Sequence, residues 1–361
     1  MELPFILNNE RIRCNVKVHA IRRAPLIKYR YMITEEVVHY SVLRFVSTSH
    51  SHFTMVVTPY PRTFFICLRR KPPFVIFGKD LDARYENPSI LFSDDGVYWV
   101  EKTRNPIFPP PKDASRARGP HNYDPNLIWN PREKRAYLFF NNWGEGIRHV
   151  RLMISKDLIN WKDMGSTNIE IVNNNKIRVS PTVIHEEEEK KYYMLLVHVD
   201  LNEEEKPFLE LLRSNDGLYW VKTGEMNISI NVGDLTFYPW HITVRKVGLE
   251  YWLLASMNRG NLSRPPMSLF FFKSRDLLTW EGYNKPVLAP SSKGFDDKMV
   301  YQGDVIVHNE SVYIWYSAFS KENRCNIGLV RGKLLNEFLR SAQSDNVVQM
   351  SSSDEYNELN A

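Results

Sequence analysis

Ser93-Asp94-Asp95-Gly96-Val97-Tyr98-Trp99 is the first of four segments that share the pattern Ser-x-Asp-(Gly or Leu)-x-x-Trp, called the tetrad below. The pattern returns at 155–161, 214–220 and 274–280, so its tryptophans lie about 60 residues apart. A repeat of this length predicts a unit built from several strands. The Asp and the Gly or Leu fall where a tight hairpin turn is expected, and the Trp is predicted to pack between neighbouring units.

Two further sets of short apolar segments precede the tetrads and raise the number of units to five. One set is rich in aromatic residues: 53–57, 136–140, 192–197, 251–255 and 312–316. The other set comprises 38–45, 124–129, 181–185, 240–244 and 302–307. Four antiparallel strands repeated radially form a propeller blade. The sequence therefore predicts an all-β protein, a five-bladed β-propeller with four-stranded antiparallel blades, numbered I to V along the chain.

The predicted propeller covers residues 36–332, with two inserts in blade I at 61–84 and 101–122. Residues 1–35 are predicted to pack on the propeller as an outer strand or an edge cover. Residues 333–361 are predicted to form a short helix, at 334–342, and a disordered polar tail.

Composition excludes several classes of function. The 47 basic and 42 acidic residues give a net charge of +5, too balanced for a nucleic-acid partner. Three distant cysteines predict no disulfide framework or zinc site, and no cofactor or metal is expected from residue spacing. The apolar run near the N-terminus is too short for a signal peptide, and no segment approaches a membrane span. We expect a soluble, cytoplasmic or virion-associated protein without membrane insertion; its oligomeric state is not predicted.

The innermost strand of each propeller blade lines the central channel, and its first residues face the mouth. Polar and aromatic residues at these positions are candidates for function because core packing does not require them there. They are His39 and Ser41 in blade I, Tyr123 and Asp124 in blade II, Arg178 and Ser180 in blade III, Trp240 and His241 in blade IV, and Tyr301, Gln302 and Asp304 in blade V.

The tandem tetrads, the segment Tyr-Asp-Pro-Asn at 123–126 and the Ser180-Pro181 start of blade III together resemble the five-bladed β-propeller glycoside hydrolase superfamily. That superfamily includes arabinofuranosidase/xylosidase, fructosidase and mannoside-phosphorylase-like families. The resemblance covers roughly residues 36–332. It implies a sugar bound in the central funnel between two carboxyl groups.

Only one of the expected carboxylates is found by motif. Asp124 matches the blade II position, but blade I has His39-Tyr40-Ser41 and blade III has Val179-Ser180-Pro181 at the corresponding places. Glu35, Glu36 or Asp304 could replace a missing carboxylate. His39 or His241 could act as acid or base, because imidazole titrates near neutral pH. These two histidines and Asp124 could instead hold a cation or a water molecule.

These assignments give Asp124, His39, His241 and Asp304 as candidate catalytic residues. The candidate substrate-binding residues are Tyr123, Arg178, Ser180, Trp240, Tyr301 and Gln302. A further segment, Glu86-Asn87-Pro88, is interpreted as a chance match to a catalytic motif, because it precedes a third strand and not an innermost one.

The leading hypothesis is a glycoside hydrolase-like enzyme that acts on the terminal sugar of an oligosaccharide or glycoconjugate in the funnel. It requires a second carboxylate within about 10 Å of Asp124. The alternative is a catalytically inactive glycan-binding or scaffold propeller that lacks the acid/base pair. A third hypothesis is a protein-interaction propeller that uses the blade I inserts.

Overall fold

The computed structural model describes residues 2–22, 30–46, 51–60, 62–67, 74–81, 83–112, 120–260, 265–335 and 347–349. Strands dominate these residues, and the helical segment among them is the short 3₁₀ turn Ala83–Tyr85. The N-terminal half contains β1 (Phe5–Leu7), β2 (Ile12–Arg13), β3 (Asn15–Val16), β4 (Val18–Arg22), β5 (Arg30–Thr34), β6 (Val37–Val46), β7 (Ser51–Pro59), β8 (Arg62–Cys67), β9 (Phe74–Leu81), β10 (Ser89–Ser93), β11 (Tyr98–Trp99), β12 (Asn122–Asn130), β13 (Arg135–Gly144), β14 (Ile147–Ser155) and β15 (Lys162–Glu170). The C-terminal half contains β16 (Val172–Asn173), β17 (Lys176–Glu186), β18 (Lys191–Asp200), β19 (Phe208–Ser214), β20 (Trp220–Met226), β21 (Ile230–Val232), β22 (Leu235–Val247), β23 (Glu250–Asn258), β24 (Ser268–Ser274), β25 (Glu281–Gly282), β26 (Met299–His308), β27 (Ser311–Phe319), β28 (Cys325–Leu334) and β29 (Val347–Gln349).

Five antiparallel sheets form the five blades, which confirms the predicted propeller. Blades II, III and IV follow the repeat closely, with the orders β12-β13-β14-β15, β17-β18-β19-β20 and β22-β23-β24-β25. Blade I contains β6, β7 and β10, and its first insert forms the separate hairpin β8–β9. The innermost strands β6, β12, β17, β22 and β26 contact one another around the central channel.

The N-terminal extension completes blade V. Strand β1 pairs antiparallel with β28, the register placing Phe5 opposite Leu334, and β2 pairs with a more central part of the same strand. Phe5 is buried against Trp252 and Phe271 of blade IV. The start of the chain therefore supplies the outer strand of the last blade, which ties the two ends of the ring together.

The four tetrads form the same hairpin turn. In the last one, the Asp276 carboxylate accepts hydrogen bonds from the backbone N–H groups of Leu278 and Thr279, and the Ser274 hydroxyl donates to it. Leu277 has a positive φ of 65°, the position that glycine occupies in two of the other tetrads. The Trp280 indole N–H donates to the carbonyl of Leu277. The tetrad is thus a structural turn, as its composition predicts.

Two tetrad tryptophans pack between blades. Trp220 of blade III meets Phe139 of blade II edge to face at 5.9 Å, and Trp99 of blade I meets Trp315 of blade V at 6.3 Å. Both indoles are almost fully buried. Apolar contacts of this kind between neighbouring wedges hold the ring closed.

A β-bulge occurs near the channel mouth in all five innermost strands. Their registers shift between Val37 and Tyr40, Tyr123 and Asn126, Val179 and Thr182, Pro239 and His241, and Val300 and Gln302. A bulge reorients the side chains next to it and ends regular pairing. Asp124 and Ser180 lie in two of these bulges with positive φ values of 52° and 55°. The repeated bulge therefore determines which side chains face the mouth of the channel.

The C-terminal segment differs in part from its prediction. Leu334, the first residue of the predicted helix, ends strand β28, and residues 336–342 lie outside the described residues. Val347–Gln349, within the tail predicted to be disordered, form β29, which pairs in parallel with β6. No helix in the described part of the chain has the length and apolarity that crossing a membrane requires.

We expect Asp276→Ala to destabilise the fold by about 1 kcal/mol, because two turn N–H groups lose the acceptor that caps them. Hydrogen bonds from these N–H groups lower the pKa of Asp276 to about 2. Since its pKa is lower in the folded state, its contribution is present above about pH 4 and disappears as the pH falls towards 2. Urea unfolding of wild type and Asp276→Ala at pH 7 and pH 2.5 measures the difference in their free energy of unfolding. Arg275→Ala, at the adjacent exposed residue, is the control. Equal stability of Asp276→Ala and wild type at pH 7 would contradict the assigned role.

Candidate metal centre at the channel mouth

His39, Asp124 and His241 converge at the mouth of the channel from blades I, II and IV. Each offers one ligand atom, and the three atoms lie within 4.8 Å of one another. All three side chains are buried. The structure thus brings together three of the four residues predicted to be catalytic, and it does so through the bulges of β6, β12 and β22.

The two carboxylate oxygens of Asp124 have different surroundings. Oδ2 accepts hydrogen bonds from the backbone N–H of Ser180 at 2.9 Å and from the Asn141 side-chain amide at 3.3 Å. Oδ1 lies 3.0 Å from His39 Nε2 and 3.8 Å from His241 Nδ1, but it forms no hydrogen bond of acceptable geometry within the described residues. One oxygen is therefore fixed by blades II and III, while the other faces the two imidazoles.

His39 is oriented by a carboxylate on its far side. Its Nδ1 atom lies 2.9 Å from Glu86 Oε2, and the Thr58 hydroxyl contacts both groups, at 3.3 and 3.4 Å. A Glu86 carboxylate that accepts the Nδ1 proton leaves the Nε2 lone pair directed towards Asp124. This carboxylate–histidine arrangement is the one that orients metal-binding histidines.

The placement of Glu86 corrects the interpretation of Glu86-Asn87-Pro88 as a chance match. The segment precedes β10, as expected, but it also runs beside the start of β12: the Asn122 N–H donates to the Glu86 carbonyl, and the Asn122 amide donates to Asn87 Oδ1. This pairing carries the buried Glu86 side chain to the channel. Glu86 also lies 4.0 Å from His121, so the structure places a carboxylate from the blade I region beside the cluster, where the motif comparison found none.

His241 is held by blade III. Its Nδ1 atom lies 2.5 Å from the Ser180 hydroxyl, and its buried Nε2 atom has no hydrogen-bond partner among the described residues. Ser180 therefore orients two members of the cluster, Asp124 through its backbone N–H and His241 through its hydroxyl. These contacts orient both side chains, and the substrate-binding role of Ser180 stays a prediction.

Burial sets the protonation of the cluster. It lowers the pKa of His39, an effect that Asp124 partly opposes. Burial and the neighbouring His39 lower the pKa of His241 well below its ordinary value. Burial also raises the pKa of Asp124, against the opposing effect of His39. Both imidazoles are thus held in the neutral form, which is the form that binds metals.

Aromatic rings form one wall around the cluster. The ring of Tyr301 lies 4.6 Å from that of His241 and 5.7 Å from that of His39, and its hydroxyl accepts a hydrogen bond from the Trp240 indole. The ring of Tyr123 lies 6.2 Å from that of His39. The structure therefore brings these three predicted substrate-binding residues to the edge of the site.

Three other candidates lie away from the cluster. Gln302 accepts from the N–H of Tyr40 and donates to its carbonyl, so its side chain joins blades V and I. Asp304 accepts from the Val42 N–H and the Arg245 guanidinium, deeper in the channel. Arg178 lies on the rim, where its guanidinium donates to Glu210 and to the Glu170 carbonyl. Asp304 is buried in a structural ion pair, so a catalytic role for it is not supported by its contacts.

Arg245 closes the channel below the site. Its guanidinium pairs with Asp304 of blade V and donates to the Ser41 hydroxyl, the Val42 carbonyl and the Leu127 carbonyl. These contacts join four blades around a buried charge. Arg245 and Asp304 therefore place a paired, buried charge in the channel at the level of Ser41 and Val42.

The donor atoms of the cluster fit a divalent cation. Two neutral imidazoles and one carboxylate form a common ligand set for divalent metals. Ligands about 2.1 Å from a shared ion lie up to about 4 Å apart. Here Asp124 Oδ1 lies 3.0 and 3.8 Å from nitrogens of the two imidazoles, and the three ligand atoms lie within 4.8 Å of one another. A buried Oδ1 of Asp124 and a buried Nε2 of His241, both without hydrogen-bond partners among the described residues, are costly unless a ligand satisfies them.

The same geometry does not suit the double-carboxylate mechanism of glycosidases. Glu86 and Asp124 lie within about 10 Å of each other, as that mechanism requires. However, the His39 imidazole contacts both carboxylates and occupies the space between them. A glycosidic bond therefore cannot lie between this pair without displacement of His39.

Comparison with known proteins adds a relative of known activity. The chain is 26% identical over 285 residues to the A type blood N-acetyl-α-D-galactosamine deacetylase of Flavonifractor plautii, a match that covers 66% of this chain and 36% of that protein. The chain thus spans little more than a third of that relative's length. No protein-family model matches the chain.

Solved structures share the architecture. An N-acetylgalactosamine deacetylase from F. plautii, in complex with blood group B trisaccharide, superposes with a TM-score of 0.65 at 20% identity, over 90% of this chain and 97% of that one. A glycosyl hydrolase from Bacteroides ovatus superposes with a TM-score of 0.54 at 10% identity, over 86% of this chain and 90% of that one. The chain has the fold of these five-bladed propellers. The predicted resemblance is confirmed at the level of fold.

We expect the metal-free protein to lose stability as the pH falls below about 6.5, because histidines with lowered pKa values in the folded state take up protons more readily when unfolded. Each such histidine contributes up to about 1.4 kcal/mol per pH unit. In His241→Gln, the decline in the free energy of unfolding between pH 6.5 and 5 should be clearly smaller than in wild type. Urea unfolding in the presence of a chelator measures it, with His149→Gln, outside the cluster, as the control. An identical decline in wild type and His241→Gln would exclude a buried neutral His241.

Proposed function

We propose that this protein is a metal-dependent carbohydrate hydrolase that removes the acetyl group from an N-acetylated sugar at the base of the funnel. The observation that carries the proposal is the convergence of His39, Asp124 and His241, which includes two buried ligand atoms without hydrogen-bond partners among the residues that the structure describes. The relative from F. plautii, a deacetylase of N-acetylgalactosamine, supports the choice of substrate bond. The glycosidase hypothesis has no comparable support, because His39 lies between the two carboxylates.

A divalent cation held by the three side chains would polarise the acetamide carbonyl and lower the pKa of water. The remaining roles belong to the protein. Glu86 holds His39 in the tautomer that directs Nε2 into the site, and the Ser180 hydroxyl fixes the orientation of the His241 ring through Nδ1. His121, whose Nε2 lies 4.0 Å from Glu86 Oε1, is the nearby side chain that can exchange a proton with a leaving amine.

Substrate recognition is assigned to the aromatic wall. Tyr301, Trp240 and Tyr123 present rings on which the apolar face of a sugar can stack, and the Tyr301 hydroxyl can donate to a carbonyl oxygen. Burial raises the pKa of Tyr301 well above its ordinary value, so the hydroxyl keeps its proton at neutral pH. The Arg245 floor limits the depth of the funnel, which favours a terminal sugar over an internal one.

The direct test is to assay the purified protein with Zn²⁺, Mn²⁺ or Co²⁺ for acetate release from methyl glycosides of N-acetylgalactosamine and N-acetylglucosamine. We expect acetate release that a chelator abolishes and added metal restores. Asp124→Asn should lower kcat at least about 100-fold, because it removes a ligand charge. Asp163→Asn, on the surface of the same blade, should retain full activity.

Two other outcomes would contradict the proposal. Release of a reducing sugar without acetate, unaffected by chelator, would support glycoside hydrolysis. Saturable glycan binding with no turnover by the metal-loaded protein would support the binding-propeller hypothesis.

Glu86→Gln tests the orienting role. The variant keeps the size of the side chain but loses the carboxylate that holds the Nδ1 proton of His39. We expect Zn²⁺ affinity, measured by calorimetry, and kcat/KM to fall by about 10- to 100-fold, with an unchanged melting temperature of the metal-free protein. A variant with wild-type Zn²⁺ affinity and activity would show that Glu86 does not act through His39.

A further inference from the structure

A polar cavity lies on the rim of the funnel at blade III, outside the cluster. Its volume is about 370 Å³, and it is bounded by the turn at 173–176, which joins β16 to β17, and by the end of β18. Arg178, His198, Asp200, Asn202 and Glu204 complete its lining. This volume falls within the range of small-ligand sites. Apart from Arg178, none of these residues has a part in the site described above.

The cavity is connected to the central site through one side chain. The Asn141 amide donates both to Asp124 Oδ2 and to the backbone carbonyl of Arg178, at 3.3 Å each. Arg178 also precedes Ser180 by two residues on the same strand, a separation of about 7 Å along the chain. That distance is comparable to the length of one sugar unit. A chain of linked sugars that starts at the metal centre can therefore reach the cavity.

The lining is held rigidly by contacts among its own groups. Arg178 donates to Glu210 and to the Glu170 carbonyl, both at 2.8 Å. The Asp200 carboxylate accepts three backbone N–H groups, from Asn202, Glu204 and Glu205. These contacts fix the shape of the cavity before any ligand binds, which lowers the entropic cost of binding.

The chemistry of the lining suits a neutral sugar. The turn places three consecutive asparagines, 173–175, at the cavity, and their amides can donate to and accept from hydroxyl groups. The charges of Arg178 and Lys176 are paired with Glu210 and Glu205, and the Asp200 carboxylate is bound by backbone N–H groups. Glu204 adds a further carboxylate to the lining, which disfavours an anionic ligand. The His198 ring stacks on Phe208 at 4.7 Å, which presents an aromatic surface at the cavity wall.

We propose that this rim cavity binds the second sugar of an oligosaccharide whose terminal N-acetylated sugar occupies the metal centre. This inference rests on the proposed function and makes the natural substrate an oligosaccharide or glycoconjugate. The cavity then determines which linkage and which second sugar are accepted, while the cluster determines the bond that is cleaved.

The test compares two substrates in His198→Ala and Asn175→Ala. We expect KM for an N-acetylgalactosamine-terminated trisaccharide to rise about 10-fold in each variant, with kcat unchanged, because the lost contacts are made equally in ground and transition states. Kinetics on methyl N-acetylgalactosaminide should be unchanged. His149→Ala on blade II is the control. Equal effects on the two substrates, or none on the trisaccharide, would overturn the inference.

A binding experiment separates this inference from the proposed function. Calorimetry measures trisaccharide affinity in the Asp124→Asn protein with and without His198→Ala, after melting curves confirm that both are folded. A loss of trisaccharide affinity in the variant with His198→Ala supports sugar binding by the cavity, even if neither substrate is deacetylated. If both substrates are deacetylated and His198→Ala changes neither the affinity nor KM, the cavity does not bind the second sugar. The proposed function then still stands. Absence of any trisaccharide binding also overturns the inference.

Discussion

The hydrogen bond from the Ser180 N–H to Asp124 Oδ2 is the contact on which the site depends. It joins blade III to blade II and fixes one carboxylate oxygen, so that the other faces His39 and His241. The Ser180 hydroxyl holds His241 at the same time. A single residue in a strand bulge therefore aligns two of the three converging ligands, and Glu86 aligns the third from outside.

This arrangement requires local backbone strain that the fold must offset. Asp124 and Ser180 both adopt positive φ values, which are unfavourable for residues other than glycine and typically cost of the order of 1 kcal/mol or more each. The ring of blades supplies the compensation through buried aromatic contacts between wedges and the Arg245 guanidinium, which joins four blades below the site. Strained residues held by an over-determined scaffold are typical of functional sites.

The sequence predicted the architecture because the tetrad is a local signal: Asp276 and its three counterparts are acceptors for N–H groups two and three residues later. The channel residues His39, Asp124 and His241 were found from their place at the start of innermost strands. Glu86 was missed because its position depends on a long-range pairing with Asn122 that no local pattern reveals. Asp304 and Gln302 lie away from the cluster, which the sequence did not predict because sequence position gives the strand but not the depth in the channel. The hypothesis that these three residues hold a cation had no support from ligand spacing, since they are up to about 200 positions apart and meet only in the closed ring.

The proposed function requires that blades I, II and IV together hold a divalent cation. A crystal structure of the protein soaked in Zn²⁺, with anomalous data collected above the zinc absorption edge, tests it most directly. The account predicts one strong anomalous peak at about 2.0–2.2 Å from Asp124 Oδ1 and from a nitrogen of each imidazole. Electron density that shows direct hydrogen bonds between these side chains, with no anomalous peak between them, would contradict it.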